Sequence, residues 1–184
     1  MSTIADAVIA LAKGGVVAYP TEGVFGLGCD PDNGEAVQRL LAIKKRPQEK
    51  GLILIAASIE QLLPYIDLSS LSVQIKKDLV NSWPGPNTWV VPKSRKVTSW
   101  ISGQFNSVAV RVSDHPLVQS LCQVYGKPIT STSANLSGQP SCTTYSEVVE
   151  NLSHEVNVII EGKVGSLGGS TSIRDAMTGH YLRR

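Results

Sequence analysis

Val16-Val17-Ala18-Tyr19-Pro20-Thr21-Glu22-Gly23-Val24-Phe25-Gly26-Leu27-Gly28 is the stretch on which the fold of this chain turns. Its apolar opening reads as a buried strand. Pro20 has no N–H to give a ladder and holds Tyr19 extended, so the strand ends here. Thr21 and Glu22 place a hydroxyl and a carboxylate at that end, and Val24 to Cys29 begins a second extended segment. Gly23, Gly26 and Gly28 leave room for close backbone approach or positive φ. Ligands of open α/β proteins gather at strand ends, so this turn is either a ligand site or an ordinary glycine-rich connection.

Outward from it, strand and helix patterns alternate irregularly. Ile4, Val8 and Leu11 recur at helical spacing, with Gly14-Gly15 as a stop. Glu35 to Lys44 reads as a helix with Val37, Leu40, Leu41 and Ile43 on its inner face, and Pro47 ends it. Leu52 to Ala56 is a strand. Ile59–Leu63 and Leu71–Val80 read as helices. Trp83 to Thr88 is a stiff turn into the strand Trp89–Val91. Ser107 to Val112 alternates Val108, Val110 and Val112 with Ala109 and Arg111. A cation inside so apolar a strand requires an internal carboxylate or an anionic ligand. Asp114 is expected to cap the next helix, with Pro116 in its first turn and Leu117, Leu121 and Val124 inside; His115 reads as a local contact. Pro128–Thr130 is a strand followed by a polar loop, Ser131 to Gly138. Thr144 and Glu147 form a capping box. Val156–Ile160 is a strand. Gly168 to Ser172 is like a phosphate-binding turn without the Walker lysine. Several neighbouring strands lie too close in sequence for a crossover helix. A mixed, twisted sheet with flanking helices is therefore expected, not a regular doubly wound one.

At 184 residues the chain is expected to form one domain, residues 1–184. A formal charge of +2 is too small to demand nucleic acid, so any basic patch must be local. Such a patch is Lys44-Lys45-Arg46-Pro47-Gln48-Glu49-Lys50, either a solvated helix end or a phosphate clamp. Cys29, Cys122 and Cys142 form no CxxC pair, which argues against structural zinc and a disulfide framework and suggests reduced thiols in a cytosolic protein. Cys29 reads as a small buried hydrophobe or, alternatively, a reactive thiol. No leader-like start is visible, and the run Leu52–Ala57 is too short to cross a bilayer.

Six segments taken in order resemble the threonylcarbamoyl-AMP synthase (YrdC-like) family: Tyr19 to Gly28, Lys44-Lys45-Arg46-Pro47, Trp83 to Thr88, Val108 to Arg111 with His115-Pro116, Ser131 to Asn135, and Gly169-Ser170-Thr171. The resemblance spans essentially the whole chain, in the short form of the family. It implies a twisted α/β sheet with a deep, basic, concave pocket. It also implies a reaction in which L-threonine, bicarbonate (or CO2) and ATP give threonylcarbamoyl-AMP and pyrophosphate. Downstream tRNA threonylcarbamoyl transferase proteins then modify the adenosine beside the anticodon. Carried over by position, Arg46, Lys50 and Lys44 face ATP phosphates. Ser107, Ser131, Ser133, Asn135, Ser141 and Arg183 complete the nucleotide side. Arg111 holds the threonine carboxylate, with Thr21, Glu22, Gly23, Ser131 and Ser170 around the amino acid.

The family often has Thr at Gly23 and Tyr at Phe25, and some members have His at Ile55. The threonine side of this chain thus lacks a hydroxyl and an imidazole. A carbamoylated threonine is its own nucleophile, so alignment and charge cancellation by Arg, Lys and a magnesium ion carried by ATP suffice; no general base and no protein-held metal is assigned. An alternative is an RNA-binding module, for double-stranded RNA or tRNA, with Lys44, Lys45, Arg46, Lys50, Lys93, Arg95 and Lys96 tracking phosphates. Aromatics are only 5%, which leaves few stacking platforms for single strands.

Overall fold

The computed structural model describes residues 2–184. The strands are β1 Val17–Pro20, β2 Phe25–Gly28, β3 Ile53–Ala56, β4 Asn87–Pro92, β5 Ser107–Val112, β6 Ile129–Ser133, β7 Val158–Ile159, β8 Ser172–Asp175 and β9 Tyr181–Arg183. The helices are α1 Ile4–Ala12, α2 Gly34–Lys44, α3 Ile59–Leu62, α4 Val73–Asn81, α5 Ser99–Ser102, α6 Pro116–Tyr125 and α7 Tyr145–Leu152. Among the described residues the strands form one twisted sheet in the order β7-β1-β2-β6-β3-β5-β4-β8-β9. It is mixed: β1 runs antiparallel to β2 and parallel to β7, and β3 runs parallel to β5 but antiparallel to β6.

The opening stretch folds as a tight β1–β2 hairpin. Thr21 N and Thr21 Oγ1 both donate to Val24 O, at 3.1 and 2.7 Å. The glycines serve close approach, not positive φ. A Cβ at Gly28 would stand 2.3 Å from the Thr130 carbonyl oxygen, and one at Gly23 only 1.8 Å from that of Gly169.

Strand alternation divides the apolar residues between two layers. Ala18, Phe25, Leu27, Leu54, Val108, Val110 and Trp89 pack with the α2 residues Val37, Leu40 and Leu41. Val17, Tyr19, Ile55 and Ile129 pack with Ala7 and Leu11 of α1 and Val118 and Leu121 of α6. Each such aliphatic side chain contributes roughly 2 kcal/mol on burial. α1 and α6 cover only part of their face. Over β6, β3, β5, β4 and β8 that face is open, and the cavity described below lies there.

Two local expectations are corrected. Ser131 to Ser133 belong to β6, not to a loop, because Ser131 pairs with Ile53 and Ser133 with Gly26. His115, not Asp114, caps α6: its Nδ1 accepts from Leu117 N at 3.3 Å, leaving the Nε2 proton for Lys163 O at 2.9 Å. α2 stops at Lys44 because Lys45 turns left-handed at φ 46°, ahead of Pro47. The short α5 carried no sequence signal. The box at Thr144 and Glu147 forms as expected.

Candidate functional site

One register row sets the cavity floor. Ser131, Ile53, Ala109, Val90 and Asp175 lie side by side across β6, β3, β5, β4 and β8, and all five line the cavity. Paired residues on neighbouring strands share a face, so a small, largely apolar floor follows from the register. Two positions along β5 on either side of Ala109, Ser107 and Arg111 face the same space while Val108, Val110 and Val112 enter the core. The cavity measures about 490 Å³.

Four cations line it: Arg46, Lys50, Arg111 and Arg183. Arg46 comes from the turn after α2, where its Nη2 and Nε donate to Gly51 O at 3.0 and 3.2 Å. Arg183 comes from β9 and is aimed by a 2.9 Å bond from its Nε to Thr171 O. Burial, then the nearby Arg111 charge, lowers the pKa of Arg183; burial likewise lowers that of Arg46. Against these cations stands Asp175, the one carboxylate among the described lining residues. Its Oδ1 already accepts from Met177 N at 2.7 Å and Thr178 N at 3.2 Å. The lining therefore carries more cations than carboxylates, a charge pattern suited to anions.

Arg111 is held from behind. Its Nη1 donates to Thr171 Oγ1 at 2.7 Å, and its Nη2 lies 3.4 Å from Glu22 Oε2. Ser113 donates to Glu22 Oε1 at 2.8 Å, and Thr171 meets Thr88 at 3.2 Å. Two buried atoms of this network, Arg111 Nε and Glu22 Oε2, have no hydrogen-bond partner.

Of the residues named from sequence, the structure gathers Thr21, Arg46, Lys50, Ser107, Arg111, Ser131, Ser133, Ser170 and Arg183 around the cavity. Five others lie outside its lining. Glu22 is behind Arg111, and Gly23 is covered by Gly169. Ser141 stands apart in the loop before α7. Lys44 and Asn135 are bonded to each other at 2.6 Å. All three ammonium protons of Lys44 are committed to oxygens of its own chain, away from the cavity lining.

Sequence reasoning did not single out Asp175, Phe105 and Leu182 as site residues, and gave Thr171 no role. Only Thr171 had a signal, its place in the Gly169–Thr171 motif. No three His, Cys, Asp or Glu side chains gather as a metal centre among the described residues. All three cysteines are free and buried, and burial pushes the Cys29 thiol up to about 12, so it is a packed hydrophobe and not a nucleophile.

A family model named for Sua5, YciO and YrdC, and described as "Telomere recombination", matches residues 9–184. The chain belongs to the Sua5/YciO/YrdC family. Within this Sua5/YciO/YrdC family, a Vibrio campbellii protein named threonylcarbamoyl-AMP synthase is 58% identical over 175 residues, 95% of each chain. A Vibrio cholerae protein of the same name is 56% identical over 184 residues, covering 100% of this chain and 98% of that one. Among solved structures, P. abyssi Sua5 complexed with L-threonine superposes with a TM-score of 0.88 at 34% identity, over 95% of this chain and 51% of that one. P. abyssi Sua5 thus shares the fold of this chain. Among the described residues no helix is long and apolar enough to cross a membrane.

Proposed function

We propose that this protein forms threonylcarbamoyl-AMP and pyrophosphate from L-threonine, bicarbonate or CO2, and ATP, and supplies the adenylate to downstream tRNA threonylcarbamoyl transferase proteins. The observation that carries the reading is the convergence of Arg46, Lys50, Arg111 and Arg183 on one cavity opposed by a single carboxylate. A triphosphate and an amino-acid carboxylate together supply the missing negative charge.

The roles follow from position. Arg46, Lys50 and Arg183 take the phosphates, with Ser107 beside them, and Ser133, whose proton goes to Asn135 Oδ1, accepts from a hydroxyl or amino group of the nucleotide. Arg111 takes the threonine carboxylate, and Thr21, Ser131 and Ser170 surround the amino acid. Bicarbonate condenses with the threonine amine to give a carbamate and water. A carbamate oxygen then bonds to the α-phosphorus of ATP as the bond to pyrophosphate breaks. No protein nucleophile is needed; the cations hold the groups in line and cancel charge that builds on the leaving pyrophosphate. Magnesium enters as part of the ATP substrate and neutralises phosphate charge there. With one carboxylate the cavity suits an ion brought by phosphate oxygens better than one caged by protein.

The RNA-binding alternative needs an open track of cations. Lys44 is buried, Lys93 donates to Ser102 Oγ at 2.7 Å, and Lys96 pairs with Asp32 at 3.4 Å while lying over the Tyr65 ring. The decisive experiment is pyrophosphate release from the purified protein with ATP and magnesium. It should require both L-threonine and bicarbonate; release without threonine, or none at all from folded protein, would end the proposal.

A further inference from the structure

Lys44 is 6% exposed, yet no carboxylate pairs with it among the described residues. Its ammonium instead donates three hydrogen bonds of 2.6 Å each, to Ser133 O, Asn135 O and Asn135 Oδ1. Asn135 Oδ1 also accepts from Ser133 Oγ at 2.6 Å. The Asn135 amide donates to Gln139 O at 2.7 Å and Leu136 O at 3.0 Å. Every polar group of Asn135's side chain is thereby used, and so is every proton of Lys44. The knot stands directly behind Ser133, whose hydroxyl lines the cavity and has given its proton inward, so it offers the cavity lone pairs.

A buried charge is retained at a cost, and three carbonyl-type oxygens compensate an ammonium only in part. Burial, and then the Arg46 guanidinium next to it, lowers the pKa of Lys44 to about 8; Cys142, also beside it, acts weakly in the other direction. A neutral amine has two protons for three acceptors, so loss of the charge loosens the knot.

We propose that Lys44 is a positioning residue: it fastens the end of β6 through Ser133 and Asn135 so that Ser133 meets the nucleotide, and it does not itself touch phosphate. This rests on the nucleotide site assigned above. Lys44→Met keeps the apolar stem and removes the three donors.

The test is pyrophosphate release at varied ATP and at varied threonine with the full chain. Lys44→Met should raise KM for ATP about tenfold, the scale of lost charge-assisted hydrogen bonds, with a smaller effect on KM for threonine. In the wild type KM for ATP should rise as pH passes 8; in Lys44→Met it should be high and lack that rise. Combining Lys44→Met with Asn135→Ala should give less than the product of the two single effects, because both act through one knot. A full product would mean independent phosphate contact and overturn the proposal. So would a lower melting temperature with KM for ATP unchanged.

Amide exchange of residues 131–139 supplies a readout that does not depend on turnover. It should quicken in Lys44→Met, and unchanged exchange overturns the proposal. If the wild type releases no pyrophosphate, the synthase reading fails separately, and exchange with ATP titration of the same variants still decides Lys44. Should Lys44→Met not fold, Lys44→Gln retains an amide donor and carries the same comparisons.

Discussion

Glu22 Oε2 lies 3.4 Å from Arg111 Nη2, with both side chains buried, so the cation that faces the cavity is anchored by a carboxylate outside it. The pair joins the β1–β2 turn to β5 and orients Arg111 before any ligand arrives. Glu22→Gln keeps the acceptor for Ser113 and removes the charge. Breaking a buried pair from one side costs about 3 kcal/mol, so urea unfolding should show that loss, and KM for threonine should rise as Arg111 loses its aim.

Arg111→Met alone strands Glu22 and should destabilise the fold by a similar amount. Glu22→Gln with Arg111→Met removes both charges and should recover much of the stability, while threonine-dependent pyrophosphate release stays lost. Recovery of both properties would show that Arg111 serves packing alone.

Arg46→Ala removes a cavity cation whose guanidinium, among the described residues, is hydrogen-bonded only to Gly51 O. Losing charged contacts of about 1.5–3 kcal/mol to phosphate corresponds to a drop of roughly 10- to 100-fold in kcat/KM for ATP. The melting temperature should change little. Unaltered kinetics in a folded variant would remove Arg46 from the phosphate side.

Gly23→Ala places a methyl group 1.8 Å from Gly169 O, a distance no relaxation of a side chain can relieve. The segment tied down by Gly165 N donating to Thr21 O at 2.9 Å and Leu167 N donating to Glu22 O at 3.1 Å must lift. Overpacking of this kind costs about 1–3 kcal/mol. Since Ser170 and Thr171 ride on that segment, threonine KM should rise with the fall in melting temperature.

Cys29 and Cys122 are both pushed up to about 12 by burial. At pH 8 the folded protein should leave these two thiols unlabelled by a thiol reagent, and urea should expose them together with the main unfolding transition. For Lys44 the sign is different: its pKa falls from 10.5 to about 8 on folding. Between those values the unfolded chain holds the extra proton, so this group's contribution to stability rises with pH. A titration of melting temperature in wild type against Lys44→Met should show that slope in the wild type only.

β5 was legible from sequence because period-two alternation and one misplaced arginine are local signals. β6 was half legible: Ile129 and Thr130 read as strand, but Ser131-Thr132-Ser133 read as loop because hydroxyls bordering a cavity look like hydroxyls bordering solvent. The fate of Lys44 was hidden for another reason. Sequence counts cations, whereas the acceptors of its ammonium, Ser133 and Asn135, lie about ninety residues further along the chain, at separations of 89 and 91. The same distance in sequence hid the anchoring of Arg111, since Ser113 and Glu22 are 91 residues apart.

The register row Ser131–Ile53–Ala109–Val90–Asp175, with Thr21 at one side and Arg183 at the other, gathers the site from strands spread along the whole chain. No short contiguous segment carries all four cations. On the proposed function, nucleotide capture would be an all-or-none property of the completed sheet: ATP should bind the native state and not its precursors, and so act as a thermodynamic seal on folding whose strength grows with the logarithm of ATP concentration.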